Sequence, residues 1–423
     1  IPDQAFDTDT PAKDASYERS SYDDCVEYVC TNFEKAAEYL PIDREESFQY
    51  VPTRGAALAL IARQRLYSAS PLYNGNTYYA DWRRSDGTPF ISQAEDNNRW
   101  GKAAAVYKQI IDMNLYKLNT VEKIETTDRV AGTLDLPETV SKESFPYGAG
   151  DIDPYRSYKS IFDGSIQAVH NKELIYYCVR ANSDDWTVYP NLLGGINGFS
   201  VTQDMIDEYR MADGRQYSEA TDAEKSWQAV GIGKTFSENY VLSPDRAYMH
   251  DNREPRFYAS IGFNYCVWPG TSYTGTEAIK NFVANYYKDG NSQPTGNIKV
   301  DYNRTGYTCR KYINQEDVNN WQGTIKAKTY PVIRYAEVLL GYVEAMNEMK
   351  SSYTDDKTGV SVSRNVADMV FYFNQVRYRA GLPGITEAQA SDYQTMKELI
   401  KQEWRVEFAF EDHRFWDVRR WKI

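Results

Sequence analysis

The sequence predicts a mainly α-helical protein, in which a tetratricopeptide-like helical scaffold carries a loop-rich lobe with short strands. Apolar residues recur at three-to-four spacing in blocks near both ends of the chain, as they do in amphipathic helices. From about residue 120 to 330 this period thins out, and Gly, Asn, Asp and Pro interrupt short apolar runs. Paired helices joined by loops are typical of tetratricopeptide hairpins, although no exact repeat of about 34 residues is visible.

The first part of the scaffold is predicted over residues 22–113. Small residues such as Ala56, Ala57 and Ala62 let a neighbouring helix approach closely. A long, ring-rich loop separates the second helix from the third, and loops of this length in compact domains are usually functional or disordered. The three helices are predicted over about residues 22–40, 53–70 and 97–113.

The loop-rich, ligand-facing lobe is predicted over residues 120–330. Two short apolar runs, over residues 174–179 and 258–263, are typical of strands. A short helix is predicted over residues 203–210, with Thr202 as its N-cap.

The second part of the scaffold is predicted over residues 331–423, with helices over about residues 331–349, 364–380 and 395–410. Pro331 is placed at the first helical position, where a missing N–H costs no hydrogen bond. Gly381 and Pro383 form a stop signal for the second of these helices. Because the returning helices must pack on the first set, residues 1–423 are predicted to form a single unit.

Charge and cysteine content exclude several classes of protein. The chain of 423 residues carries a net charge of −12, which repels phosphate backbones, so no nucleic-acid partner is expected. No apolar run reaches the about 18 residues that span a bilayer, and no signal-peptide pattern precedes Ile1. The five cysteines form no CxxC pair, so we expect free, partly buried thiols rather than a zinc or redox site.

Two long motifs near the C-terminus resemble a known family. The first is YPVIRYAEVLL followed by EA, over Tyr330–Ala345, and the second is EWRVEFAFEDHRFWDVRRW, over Glu403–Trp421. Shorter matches lie at Thr53–Ala57, Ser70–Asn74 and Asp251–Phe257. Together they resemble the SusD/RagB family of Bacteroidetes surface nutrient-binding lipoproteins over essentially the whole chain. Neither the lipidated N-terminal Cys nor the C-terminal tail of that family is present, so we expect a portion of a longer protein.

The resemblance implies a non-catalytic, cofactor-free protein at the outer leaflet of the outer membrane, facing the extracellular space. It implies that an oligosaccharide or polysaccharide is captured and delivered to a SusC-like TonB-dependent transporter. Membrane association is expected only through a lipid anchor absent from this chain. Some members are thought to serve peptide uptake, so a peptide-binding protein of the same architecture is an alternative, and a glycoside hydrolase is a third.

The residues themselves predict no catalytic site. Glu403, Glu407 and Glu411 fall on one helix face, and paired carboxylates serve as acid and base in glycosidases. We instead predict a structural ion-pair network, because basic residues lie close by in the sequence: Arg405, Arg414, Arg419 and Arg420.

Histidines and acidic loops give no stronger signal. None of the three histidines stands in a catalytic motif; His170 and His250 are predicted at the surface, and His413 is predicted to be structural. Calcium is conceivable in the acidic loop at Asp151–Asp153, but no EF-hand spacing exists, so no metal is predicted.

Aromatic loops are the predicted binding site. The chain has 36 Tyr, 16 Phe and 9 Trp, and a ring that stacks on a sugar must be exposed on an ordered loop. The cluster with Trp268 is favoured because it follows a predicted strand. Three ring clusters lie among Gly, Asn, Asp and Pro, and their candidate ligand-binding residues are Trp186 and Tyr189, then Tyr265, Trp268 and Tyr273, and finally Tyr78 and Trp82.

Overall fold

The structure is a computed structural model, and it describes residues 5–48, 50–123, 136–180, 187–190, 193, 195–229, 234–236, 240–243, 245–268, 282–292, 302–318 and 324–423. Proximity of Cα atoms divides the chain into two compact units. Unit 1 comprises Ile1–Leu115, Glu337–Met369 and Asp412–Ile423, and unit 2 comprises Tyr116–Ala336 and Val370–Glu411. The prediction that the chain behaves as a single unit stays a prediction.

The secondary structure consists mainly of helices, with short antiparallel strands, which confirms the predicted mainly α fold. The helices are α1 (Tyr22–Tyr39), α2 (Arg54–Ala69), α3 (Asn98–Asp112), α4 (Pro154–Lys159), α5 (Gln203–Glu208), α6 (Pro255–Ser260), α7 (Tyr335–Glu348), α8 (Val366–Arg379), α9 (Glu387–Ser391), α10 (Tyr393–Glu407) and α11 (His413–Arg420). The strands are β1 (Leu174–Arg180), β2 (Lys234–Phe236), β3 (Tyr240–Leu242), β4 (Ile261–Phe263), β5 (Val267–Trp268), β6 (Phe282–Val283), β7 (Tyr307–Cys309), β8 (Lys328–Arg334), β9 (Tyr353–Thr354) and β10 (Ser361–Val362).

Unit 1 is built on α1, α2 and α3, and α2 packs against both of the others. The side chain of Thr53 caps α2 by accepting a hydrogen bond from the Ala56 N–H, and buried alanines on α2 permit close packing. Gly341 on α7 lies directly against Tyr107 of α3. A Cβ at position 341 would lie only 2.3 Å from Cζ of Tyr107, so this contact requires glycine. The predicted close approach at the alanines of α2, together with the contact at Gly341, therefore lets the helices of unit 1 pack closely.

Unit 2 combines short helices with two-stranded sheets. The sheets pair β1 with β8, β2 with β3, β4 with β7 and β5 with β6. Helix α4 packs against α6, and α10 contacts α9 and α5. The core of this unit is rich in aromatic side chains, among them Phe257, Tyr258 and Phe263.

Two predictions of local structure were wrong, and proline explains both. Pro331 does not begin a helix: it lies in β8 opposite Tyr177, next to a register irregularity, and α7 begins only at Tyr335. A two-stranded sheet has open edges, where a residue without an N–H is tolerated. The segment predicted as a strand from Tyr258 is helical up to Ser260, because Pro255 occupies the first helical turn of α6.

The other predicted helices agree with the structure within a few residues. Helix α10 starts at Tyr393 because Asp392 accepts a hydrogen bond from the Thr395 N–H, 2.8 Å away. It ends before Phe410, whose φ of 65° leaves the helical region. None of the five cysteines, all of which the structure describes, is in a disulfide, as predicted, although Cys178 is exposed. In the part of the chain that the structure describes, no helix has the length and apolar character needed to cross a membrane.

Candidate functional site

The predicted carboxylate ladder lies in a buried ion-pair cluster of unit 2. We call it the Glu407 cluster, and its members are Glu173, Arg256, Lys311, Arg334, Arg377, Arg379, Glu403, Glu407 and Glu411. Arg334 donates to Glu407 at 2.6 Å, to Glu173 at 2.7 Å and to Glu411 at 2.8 Å. Arg256 donates to Glu403 at 2.5 Å and to Glu407 at 2.8 Å, and Arg379 also pairs with Glu407.

Electrostatics keep the central carboxylate of this cluster charged. Burial alone would raise the pKa of Glu407, but the guanidinium groups of Arg379, Arg334 and Arg256 outweigh it and hold the pKa well below its usual range. A glycosidase acid must hold a proton and reach the substrate, and Glu407 is fully buried and does neither. The predicted structural ion-pair network is thus confirmed.

The partners of the ladder differ from those predicted by sequence proximity. Arg405 pairs with Asp204 and Glu208 instead, and Arg419 lies over the ring of Phe415, with its Cζ 3.5 Å from the centroid. The charges that neutralise the ladder come from α6, α8, β8 and the segment after β7, which are distant in sequence.

The charged side chains of α11, the last helix of the Glu403–Trp421 motif, form ion pairs within unit 1. Arg420 donates to both carboxylate oxygens of Glu344, at 2.5 and 2.9 Å, and to Asp417 at 2.8 Å. The indole N–H of Trp421 donates to Glu344 at 2.8 Å. Both halves of the motif therefore stabilise the fold.

The histidines and the acidic loop serve local structure. His250 is buried rather than at the surface as predicted, and its Nε2 lies 3.1 Å from the hydroxyl of Tyr307. His413 lies 3.8 Å from Glu337, in agreement with the structural role predicted for it. Asp151 accepts from the Phe145 N–H, and Asp153 caps α4. Among the residues that the structure describes, no group of His, Cys, Asp and Glu has the arrangement of a metal site.

Trp268 and Tyr189, two of the predicted ligand-binding rings, lie together in unit 2. Their ring centroids are 5.8 Å apart, and both rings are almost fully buried. The prediction that these two rings are exposed on loops was wrong, because both are packed into the core of unit 2. Both instead form part of the wall of one cavity.

This cavity, the Trp268 cavity, has a volume of about 430 Å³. Its aromatic and aliphatic wall is formed by Tyr155, Tyr189, Trp268 and Ile313. Its polar wall contains Asn314 and Gln315 together with six charged residues: Arg156, Lys159, Asp163, Arg310, Glu316 and Lys326. A cavity that combines rings with convergent polar groups is the usual form of a small-ligand site.

Several segments of unit 2 position the wall. Helix α4 contributes Tyr155 and Arg156, and Asp153 fixes its start by accepting from the Arg156 N–H at 3.0 Å. Trp268 is held in β5, where it pairs with Phe282 of β6. The segment after β7 contributes Arg310 and residues 313–316, and the segment before β8 contributes Lys326.

The polar atoms of the two buried rings are already bonded. The indole N–H of Trp268 donates to the hydroxyl of Tyr286 at 3.1 Å, and the hydroxyl of Tyr189 donates to Asp317 at 3.1 Å. The guanidinium of Arg310 lies over the indole, 4.8 Å from the ring centroid. Both rings therefore have fixed orientations, and Trp268 presents only apolar ring surface to a ligand.

A buried lysine forms the base of the polar wall. The ammonium of Lys159 donates to the carbonyl oxygens of Ala259 (3.0 Å), Lys311 (3.2 Å) and Arg310. Burial lowers the pKa of Lys159 to about 7, and the carboxylate of Asp163 acts in the opposite direction. Through these hydrogen bonds, Lys159 connects α4 to α6 and to the segment after β7.

The remaining predicted ring residues fall elsewhere. Trp186 and Tyr273 lie outside the described residues. Tyr265 is partly buried at a φ of 65°, with its ring centroid 6.0 Å from that of Tyr287. In unit 1, Tyr78 is 83% exposed, and the ammonium of Lys422 lies 4.2 Å from its ring centroid.

Trp82 belongs to the same ring-rich loop as Tyr78. Its side chain is 44% exposed, and its ring packs against Phe90 with the centroids 4.7 Å apart. The ring centroid of Tyr79 lies 5.9 Å from that of Trp82. This loop therefore holds a second group of rings, accessible from solvent.

Sequence reasoning missed the cavity residues of α4 and of the segment after β7. The pair Asp153–Pro154 is a helix-start signal that marks α4. No sequence signal indicates that Arg156 and Gln315 line the same cavity, because packing between distant segments decides it.

Comparison with known proteins places the chain in a family. A model described as the SusD family matches residues 161–423, more than half of the chain. The chain belongs to the SusD family. A second model, described as starch-binding associating with outer membrane, matches residues 3–66. The resemblance drawn from the two C-terminal motifs is confirmed.

A curated SusD relative matches only part of the chain. SusD-like protein P2 of Formosa agariphila is 30% identical over 120 residues, which are 27% of this chain and 21% of that protein. The alignment thus spans about a fifth of the relative's length.

Solved structures show the same fold over the whole chain. The protein BT4246 has a TM-score of 0.77 at 23% identity and covers 100% of this chain, which in turn covers 69% of BT4246. A SusD-like protein (BF3747) from Bacteroides fragilis has a TM-score of 0.64 at 23% identity, with 100% and 64% covered. A SusD-like carbohydrate binding protein (BF0978) from the same organism has a TM-score of 0.57 at 18% identity, with 98% and 61% covered.

Proposed function

We propose that the chain is the glycan-binding part of a non-catalytic nutrient-uptake protein at the outer face of the outer membrane. In this function it captures an oligosaccharide and delivers it to a SusC-like TonB-dependent transporter. Membership of the SusD family supports this role, as does the description of the model that matches residues 3–66. The carbohydrate-binding description of BF0978, which shares the fold, is consistent with it.

The Trp268 cavity is the observation that carries the proposal. Its volume of about 430 Å³ falls in the range of roughly 300–1,000 Å³ that is common for small-ligand sites. The apolar faces of a pyranose pack against rings such as Trp268 and Tyr155, and side chains such as Gln315 hydrogen-bond to its hydroxyls. The Glu407 cluster, with its carboxylates paired and sealed, supports binding without hydrolysis.

A binding screen with matched tryptophan variants tests the proposal. We expect isothermal titration against starch, xylan, mannan, pectic and host-glycan oligosaccharides to reveal at least one ligand. Trp268→Ala is then expected to weaken binding at least about tenfold, and Trp82→Ala, in the exposed loop of unit 1, to leave it within about twofold. Gln315→Trp, which fills the cavity from an exposed position, provides a second way to block it if Trp268→Ala unfolds.

Three outcomes decide the proposal. Loss of binding in Gln315→Trp, with an unchanged circular dichroism spectrum, supports the cavity as the binding site. Loss in Trp82→Ala alone moves the site to the exposed rings. Binding of peptides with no binding of any glycan, or release of sugar from a polysaccharide, contradicts the proposal.

A further inference from the structure

The charge of the Trp268 cavity is opposite to that of the chain. The chain has 60 acidic and 48 basic residues, a net charge of −12. Among the described residues that line the cavity, four are basic and two are acidic: Arg156, Lys159, Arg310 and Lys326 against Asp163 and Glu316. Because charges separated by more than about 8 Å are largely screened at physiological salt, a ligand in the cavity senses this local excess.

Both acidic residues have partners nearby. Glu316 pairs with Lys326. Asp163 accepts from the Ser165 N–H at 2.8 Å, and its charge acts on the ammonium of Lys159. Arg156 is then one basic residue of the lining beyond these two pairs.

Arg156 is the group that a ligand meets. Its backbone is engaged at the start and end of α4, through the N–H to Asp153 and through the carbonyl to the Ser160 N–H. Within the described part of the chain its guanidinium makes no hydrogen bond or ion pair, and it is partly buried at the cavity wall. Arg156 lines a space large enough for a ligand, and its guanidinium carries five N–H donors in a planar fork.

A neutral sugar is a poor match for this group. When a ligand covers an unpaired guanidinium, it removes water from the charge, and an anion offsets that cost better than a neutral hydroxyl does. A carboxylate or a sulfate accepts two parallel N–H bonds from arginine, and such charge-assisted bonds are roughly twice as strong as neutral ones. Trp268 supplies no polar donor, because its N–H is bonded to Tyr286.

We infer that the Trp268 cavity takes an acidic oligosaccharide, whose anionic group, a uronic acid carboxylate or a sulfate ester, binds the guanidinium of Arg156. This inference rests on the proposed glycan-binding function and names its ligand class. The sugar ring packs on the aromatic wall, and Gln315 reaches its hydroxyls from the rim.

Paired probes separate the charge of a glycan from its shape. A short oligogalacturonate is compared with its methyl ester, and a sulfated galactan oligosaccharide with its desulfated form. We expect at least about tenfold tighter binding of one charged probe than of its neutral counterpart, and a marked loss of affinity as sodium chloride is raised. The carboxylate pair and the sulfate pair distinguish the two sources of the anion.

Matched variants test whether the charge of Arg156 causes the preference for the charged probe. Arg156→Gln is expected to remove the preference for the charged probe, and Arg156→Lys to restore part of it, because lysine keeps the charge without the fork. The control is Lys172→Gln, which removes one positive charge at an exposed position of unit 2. It is expected to leave the affinity within about twofold.

Each outcome decides between the inference and the proposed function. Neutral probes that bind as tightly as charged ones, or a charge preference that survives Arg156→Gln, overturn the inference and leave glycan binding standing. No binding of any charged or neutral saccharide overturns both. A preference for the charged probe that disappears in Arg156→Gln and persists in Lys172→Gln supports both.

Discussion

Two regions of unit 2 contain arginines and carboxylates in opposite arrangements. In the Glu407 cluster, Arg334 alone reaches three carboxylates within 2.8 Å, and the side chain of every member is buried. In the Trp268 cavity, Arg156 lines the wall, and its guanidinium has no partner among the described residues. The same residue type therefore stabilises the fold in one place and is available to a ligand in the other. The difference lies in pairing and access.

The largest effect is expected from breaking the Glu407 cluster. Glu407→Gln removes the charge that three guanidinium groups share, and the loss of one partner from a buried ion pair costs ~3–5 kcal/mol of unfolding free energy. Urea denaturation measures the change. The exposed Glu398→Gln on α10 is the control and is expected to stay within about 0.5 kcal/mol. A change below about 1 kcal/mol in Glu407→Gln would show that the cluster is not structural.

A smaller effect is expected from the hydrogen bond that fixes the cavity wall. Tyr286→Phe leaves the buried indole N–H of Trp268 without its acceptor, which costs ~1–3 kcal/mol. Tyr248→Phe removes a hydroxyl from a side chain that is 40% exposed, and its unfolding free energy should match that of the unmodified chain. Equal effects of the two changes would mean that this bond does not hold the ring.

A buried basic group can also remain neutral, and the pH dependence of stability tests this arrangement at His250. Burial, with the nearby Arg253 and Arg246, lowers the pKa of His250 to about 3 from the usual 6.5. Between these two pH values the unfolded chain binds more protons at this residue, so the unfolding free energy falls as the pH falls. We expect His250 to account for about 1–2 kcal/mol of loss between pH 7 and pH 5.

Replacement of the histidine isolates this contribution. His250→Gln keeps a partner for the hydroxyl of Tyr307 and removes the titration, so its unfolding free energy should vary less between pH 7 and pH 5. His170→Gln, at an exposed position, should retain the full dependence. An unchanged slope in His250→Gln would place the acid sensitivity elsewhere.

The smallest effect on stability is expected at the cavity. Arg156→Gln removes a charge that has no partner among the described residues, so the unfolding free energy should change by less than about 0.5 kcal/mol. Thermal unfolding followed by circular dichroism measures it. A loss of several kcal/mol would mean that Arg156 belongs with the structural arginines, and the contrast between the two regions would fail.

The sequence allowed the scaffold to be predicted because its signals are local. Amphipathic period, N-caps such as Thr53 and stop signals such as Gly381 all act within one or two helical turns. The exceptions, at Pro255 and Pro331, occur where a proline is compatible with both a helix start and a strand edge. Pairing with distant segments decides between the two.

The candidate site was predictable only in part. The strand-like pattern before Trp268 correctly indicated a fixed ring, but its burial against Tyr189 and Arg310 depends on segments far away in the sequence. Arg156 lies in a six-residue helix that is too short to show a periodic face. The partners of Glu407 also lie in segments far away in the sequence, so they could not be predicted from the arginines next to it.

A crystal structure of the chain with the oligosaccharide selected by the binding screen tests the central claim most directly. The account predicts a sugar ring against Trp268 and Tyr155 in the cavity, with an anionic group in hydrogen-bond contact with the guanidinium of Arg156. A saccharide bound at Tyr78 and Trp82, with the cavity empty, would contradict it.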